Sequence, residues 1–131
     1  MSDTRSGPAI VWFRDDLRLD DHPALAAAAT HEAVLPVYIL EEDAPGETAL
    51  GGASLWWLHH SLSALAERLS ALGAPLLLKR GRAEEIVPAL ADEVGAAAVY
   101  WNRRYQPWGI EVDTQIKAAL KDADIHAESF N

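Results

Sequence analysis

The sequence predicts an α/β domain, a three-layer sandwich in which helices cover both faces of a five-stranded parallel sheet. Short apolar or β-branched runs alternate with longer stretches of helical period along all 131 residues. Several of those runs are almost continuously apolar, as strands buried on both faces must be. The joining segments are brief, and nothing repeats beyond the strand–helix alternation itself.

Taken in order, the strands are expected at AIVWF (9–13), AVLPVYI (33–39), PLLLKR (75–80), AAVYW (97–101) and IHAES (125–129). Helices are expected at about 23–30, 53–72, 83–94 and 109–122, each opened by Pro, Ser or an acidic first turn. Asp21 or His22 would cap the first helix, whose opening residue is Pro23. In the second, Leu55, Leu58, Leu62, Leu65, Leu69 and Leu72 recur at spacings of three and four, drawing one leucine stripe along the helix. Gly73 would end it in a left-handed conformation.

Composition narrows the function. Twenty acidic residues against 11 basic give a formal charge of −9, which disfavours DNA binding by this chain alone. There is no cysteine, which excludes disulfides and thiolate metal sites and agrees with a reducing cytoplasm. The opening MSDTRSG has no apolar signal stretch, and no run approaches the ~20 residues of a membrane helix, so a soluble cytoplasmic protein is expected. His59 and His60 are adjacent and diverge by about 100° on a helix, so no metal is expected there.

In a parallel sheet, ligands bind where the strand-to-helix loops converge. Those loops begin at Phe13-Arg14, Leu40-Glu41, Arg80-Gly81 and Asn102-Arg103, and none carries a GxGxxG or GxxxxGK[ST] phosphate loop. The first is dense in charge: two arginines and four aspartates fall between Arg14 and Asp21. Arg14 and Arg18 either pair locally with Asp15, Asp16, Asp20 or Asp21, or project outward to hold a ligand or another domain. Lys79, Arg80 and Arg82 read as a solvated strand end balanced by Glu84 and Glu85. Trp56 falls nearly opposite the leucine stripe, where it either meets neighbouring loops or forms an interface or chromophore contact.

The stretch VWFRDDLRLDDHPAL resembles the opening of the DNA photolyase and cryptochrome family, whose members commonly carry W-F-R-x-D-L-R-L-x-D-N-x-A-L after a strand. Trp12, Phe13, Arg14, Asp16, Leu17, Arg18, Leu19, Asp21, Ala24 and Leu25 match, and His22 stands where Asn is usual. A second segment, YWNRRYQPWGIEVDTQIKAAL, is similar to the region around the family's fourth strand, including Asn102, Tyr105 and Asp113.

The resemblance implies a Rossmann-like domain with strand order 3-2-1-4-5, spanning 1–131. It further implies an antenna chromophore, methenyltetrahydrofolate or alternatively a deazaflavin, FMN or FAD. Candidate antenna contacts are Arg14, Leu40, Glu41, Thr48, Asn102, Arg103, Tyr105 and Trp108, with Arg103 meeting an anionic tail across the crevice between the first and fourth strands. Arg14, Asp16, Arg18 and Trp56 are the candidates for contact with a companion domain. Some folate-binding members have Asn-Glu where this sequence has Trp108-Gly109, and His in place of Thr48, so stacking on Trp108 would replace those hydrogen bonds. The family's helical C-terminal domain, which holds FAD and the DNA lesion, is expected to lie outside this chain. Damaged DNA is therefore a partner of the full-length protein only, and this chain alone is not expected to be an enzyme. The full-length relative would be a carbon–carbon lyase, a deoxyribodipyrimidine photo-lyase, or alternatively a cryptochrome photoreceptor that acts in signalling. A free nucleotide-binding domain sharing only the fold would not carry the WFRDDLRL loop.

Overall fold

The computed structural model describes residues 7–14, 22–31, 33–41, 52–103 and 107–130, with side chains for all of these except 41, 52–58 and 107–109. The strands are β1 (Ala9–Phe13), β2 (Val34–Glu41), β3 (Leu77–Gly81), β4 (Ala98–Asn102) and β5 (His126–Phe130). Between them run α1 (Pro23–Ala28), α2 (Gly52–Ala71), α3 (Ala83–Val94) and α4 (Pro107–Asp122). All pairings are parallel, and the order β3-β2-β1-β4-β5 is the expected one.

β1 sits at the centre, and all five of its residues are fully buried. Its side chains alternate between two cores. Ile10 and Trp12 join Val87, Leu90, Val112, Ile116 and Leu120 from α3 and α4, while Val11 and Phe13 join Ala24, Ala28, Leu65 and Leu69 from α1 and α2. The helices that follow β1 and β2 therefore cover one face, and those that follow β3 and β4 cover the other. The order reverses between β1 and β4, which makes their carboxyl ends the topological switch point.

Pro36 lies within β2, a strand paired on both sides. It faces Val11 of β1, but pairing with β3 begins only at Val37, so the missing N–H falls where β2 has one neighbour.

Three helices end alike. Ala74 N–H donates to Leu69 C=O at 2.9 Å and Gly73 N–H to Ser70 C=O at 3.0 Å, the paired bonds of a Schellman motif. Gly73 has φ 81°, as the sequence predicts. Gly95 closes α3 the same way at φ 63°. At the end of α4 the left-handed position is held by Asp124 at φ 60°, with Ile125 N–H bonded to Leu120 C=O at 2.9 Å. The leucine stripe is shorter than its spacing suggests. Leu65 and Leu69 are buried, but Leu72 lies one residue beyond the helix end and is 71% exposed.

A side chain at a left-handed position is strained, and Asp tolerates it better than most residues. Asp124→Gly is accordingly expected to raise stability by about 0.5 kcal/mol, and Gly95→Ala to lower it by about 1 kcal/mol, both read from urea denaturation midpoints.

Candidate functional site

At the exit of β1, Arg14 turns inward rather than out. It is 3% exposed, and its Nη1 lies 2.9 Å from both carboxylate oxygens of Asp113, in the second turn of α4. The guanidinium also packs 4.2 Å from the centre of the Trp12 ring, and Trp12 contacts Trp101 at 5.7 Å between ring centres. Both tryptophans are fully buried. The described counter-ion is 99 positions away in sequence. A cation this buried is held by a carboxylate that the fold carries to it.

The other side of the switch point is occupied by capping. His22 is the N-cap of α1, and its Nδ1 accepts from Leu25 N–H at 3.0 Å. Pro23 has no N–H, and Ala24 N–H donates to Asn102 Oδ1 at 3.3 Å. The donors with which a helix start would hold an anion are thus already met from within the protein. With Nδ1 accepting, the His22 proton sits on Nε2, so the 3.5 Å approach of Asn102 Nδ2 to that atom is a packing contact. Phe13 lies against the same imidazole, 4.8 Å between ring centres.

Arg103 is also directed elsewhere. Its backbone N–H bonds to Phe130 C=O at 2.7 Å, and its Nε donates to Ser129 Oγ at 3.0 Å. Both partners are on β5, on the opposite side of β4 from β1. Arg82 behaves as the sequence suggests, 3.2 Å from Glu84 and 3.6 Å from Glu85. His59 and His60 are exposed, their rings 5.9 Å apart, and the described residues contain no group of three potential metal ligands.

An open concavity lies one strand further out. A cleft of about 280 Å³ is lined by Tyr38, Leu40, Leu62, Leu78, Lys79 and Arg80. It opens between the carboxyl halves of β2 and β3 on the side covered by α2. Of the predicted antenna contacts, Leu40 lies in it. Asp16, Arg18, Thr48 and Tyr105 lie outside the described residues, as do the side chains of Glu41, Trp56 and Trp108. Tyr38, Leu62 and Leu78 had been read only as strand or stripe residues. The signal that singles them out is register, since Tyr38 faces Leu78 and Leu40 faces Arg80 across the β2–β3 ladder.

A second polar group occupies the α1 side of β4. Tyr100 Oη lies 2.9 Å from His31 Nε2, and burial, then the nearby Glu128 carboxylate, push its hydroxyl above the ordinary value of 10.0.

The DNA photolyase family model matches residues 9–131. The chain belongs to the DNA photolyase family. It is 48% identical to the deoxyribodipyrimidine photo-lyase of Agrobacterium fabrum over 97% of its own length and 26% of that protein. It is also 41% identical to cryptochrome-1 of Sinapis alba, over 93% of its length and 25% of that protein. Among solved structures, a class III photolyase from Agrobacterium tumefaciens superposes with a TM-score of 0.85 at 50% identity, covering 95% of this chain and 25% of that one. An archaeal photolyase from Sulfolobus tokodaii, described as holding two FAD molecules and implying a novel light-harvesting cofactor, gives 0.84 at 27% identity over 95% of this chain and 29% of that one. The fold matches the N-terminal α/β domain of photolyases, and the chain spans about a quarter of the length of the relatives it matches.

Two expectations follow for this photolyase-family domain. Asp113→Asn leaves Arg14 without its carboxylate and should cost about 3–5 kcal/mol, whereas Arg14→Met combined with Asp113→Leu should recover most of that in urea denaturation. Tyr100 gives a pH signature. Because its folded pKa is raised, its contribution is fully present below the unfolded value near 10.0 and is lost as pH climbs through the folded value. Stability should therefore fall above about pH 10. Tyr100→Phe should flatten that fall in pH-stepped denaturation, while losing about 1 kcal/mol at neutral pH with the His31 contact.

Proposed function

We propose that this chain is the antenna-binding domain of a photolyase-type flavoprotein that repairs pyrimidine dimers in DNA under light, acting in the cytoplasm. The cleft beside Leu40 carries the reading. Ligand pockets are largely apolar, have a few polar groups at the rim and run from about 300 Å³ upward. Tyr38, Leu40, Leu62 and Leu78 supply such walls, and Lys79 and Arg80 supply the polar rim. These residues fit the ring system of a methenyltetrahydrofolate, and equally that of a deazaflavin, FMN or FAD. The light-harvesting cofactor implied for the Sulfolobus relative supports a role for the α/β domain in light capture.

When bound, such a chromophore would absorb light and pass its excitation to the FAD of a companion domain, where repair takes place. The chain's own part is to hold the ring against apolar walls, to keep water from it and to fix its orientation on a rigid sheet edge. Binding of FAD for repair and of the damaged, flipped-out base belongs to the companion helical domain. A cryptochrome role, with signalling in place of repair, is the second reading and rests on the Sinapis relative. Identity to the Agrobacterium photo-lyase is higher, which favours repair.

Filling the cleft tests the site. The chain is expected to bind methenyltetrahydrofolate or a flavin saturably in absorbance and fluorescence titrations, and Leu40→Trp to weaken that binding at least about tenfold with the melting temperature retained. Undiminished binding by Leu40→Trp places the chromophore elsewhere, and no binding by the chain, alone or joined to a helical FAD domain, removes the antenna role.

A further inference from the structure

β5 closes the side of the sheet away from β3, and among the described residues its outer edge is paired with no strand. His126 N–H donates to Ala97 C=O at 3.4 Å and Phe130 C=O accepts from Arg103 N–H at 2.7 Å, both on the β4 side. Backbone direction alternates along a strand, so Ala127 and Ser129 turn their N–H and C=O groups to the free edge. HAESF contains no lysine, arginine or proline, the residues that ordinarily keep such an edge from pairing. A cleft of about 500 Å³ between Lys117 and Lys121 of α4 and residues 125–127 leaves space beside it.

His126 and Glu128 share one face of β5, 3.1 Å apart, with side chains 57% and 49% exposed. We propose that β5 pairs antiparallel with β5 of a second copy of this chain about a two-fold axis at Ala127, which sets each His126 opposite the partner's Glu128. Ala127 then exchanges both backbone bonds with its counterpart, and Ser129 N–H donates to the partner's Ile125 C=O. The histidine and glutamate meet at the closer positions between those bonds, where opposite charges favour a ladder and like charges oppose it. Charge selects this register. An axis at Glu128 would set that carboxylate against its own copy, and one at Ser129 would put it against Phe130. A contact of one short strand per chain is small, so a Kd between about 10 µM and 1 mM is expected.

Sedimentation of the chain over a concentration series up to about 1 mM reads the dimer directly. His126→Glu, which opposes carboxylates, and Glu128→Lys, which removes them, should each weaken association at least about tenfold. An equimolar mixture of the two variants should associate as well as the parent chain. In that mixture the introduced carboxylate faces the introduced ammonium, and the remaining Glu128 faces the remaining His126. Glu93→Lys, an exposed change of charge on α3, should leave the dimer intact. All three substituted side chains are exposed, and unchanged circular dichroism confirms that the fold is retained. A chain that stays monomeric throughout overturns the proposal. A dimer that tolerates both single substitutions overturns its placement on β5, and a mixture no stronger than either variant alone overturns the register.

Discussion

β1 is sealed on both faces, and every other element is arranged around that fact. A strand of five fully buried residues can deliver a charged side chain only at its end, and the first such residue, Arg14, emerges before the sheet does. Its charge has to be answered inside the protein, because isolated charge in an apolar interior costs several kcal/mol. Asp113 answers it at 2.9 Å, and the Trp12 ring flanks it. The pair ties the carboxyl end of the central strand to the second turn of α4, so the two ends of the chain's folding pattern are joined at the point where strand order reverses.

The same point explains how the two family-like segments relate to each other. Arg14 and His22 come from the first, Asp113 and Asn102 from the second. Arg14 pairs with Asp113, while Asn102 caps the helix that His22 opens. What reads along the sequence as two separate signatures is, in the fold, one set of groups in contact across the β1–β4 junction. The switch point of an open α/β sheet is ordinarily where ligands enter. Here the backbone donors that open α1 are met by His22 and Asn102, and a cleft lies one strand outward, beside Leu40. The rigid end of the sheet then serves as a fixed wall against which a ring can be held.

Much of this was legible before any coordinates. Strand β1 and helix α3 have the boundaries that apolar periodicity predicts, the other elements fall within a few residues of theirs, the parallel sheet follows from the alternation of strand and helix, and its order from the family resemblance. His22 as a cap and Gly73 as a left-handed terminator were readable because both are local chemistry. The partner of Arg14 was not. Four aspartates stand close to it in sequence, and Asp113, 99 positions on, reaches it only through folding. The contact between Arg103 and Ser129 on β5 was not legible either, because a loop position does not say which neighbouring strand its side chain will reach. The cleft escaped notice because Tyr38 and Leu78 become neighbours only through the β2–β3 register.

An outermost strand such as β3 offers its unpaired backbone groups to any other strand, and proteins commonly deter that with lysine, arginine or a short length. β3 has all three: five residues, with Lys79 and Arg80 toward its end. The two cations at the rim of the cleft therefore also repel a second copy of the same strand. A sequence that exchanged them for neutral residues to suit a neutral ligand would leave Leu78 on an unguarded margin, and molecules so altered would be prone to stack margin to margin.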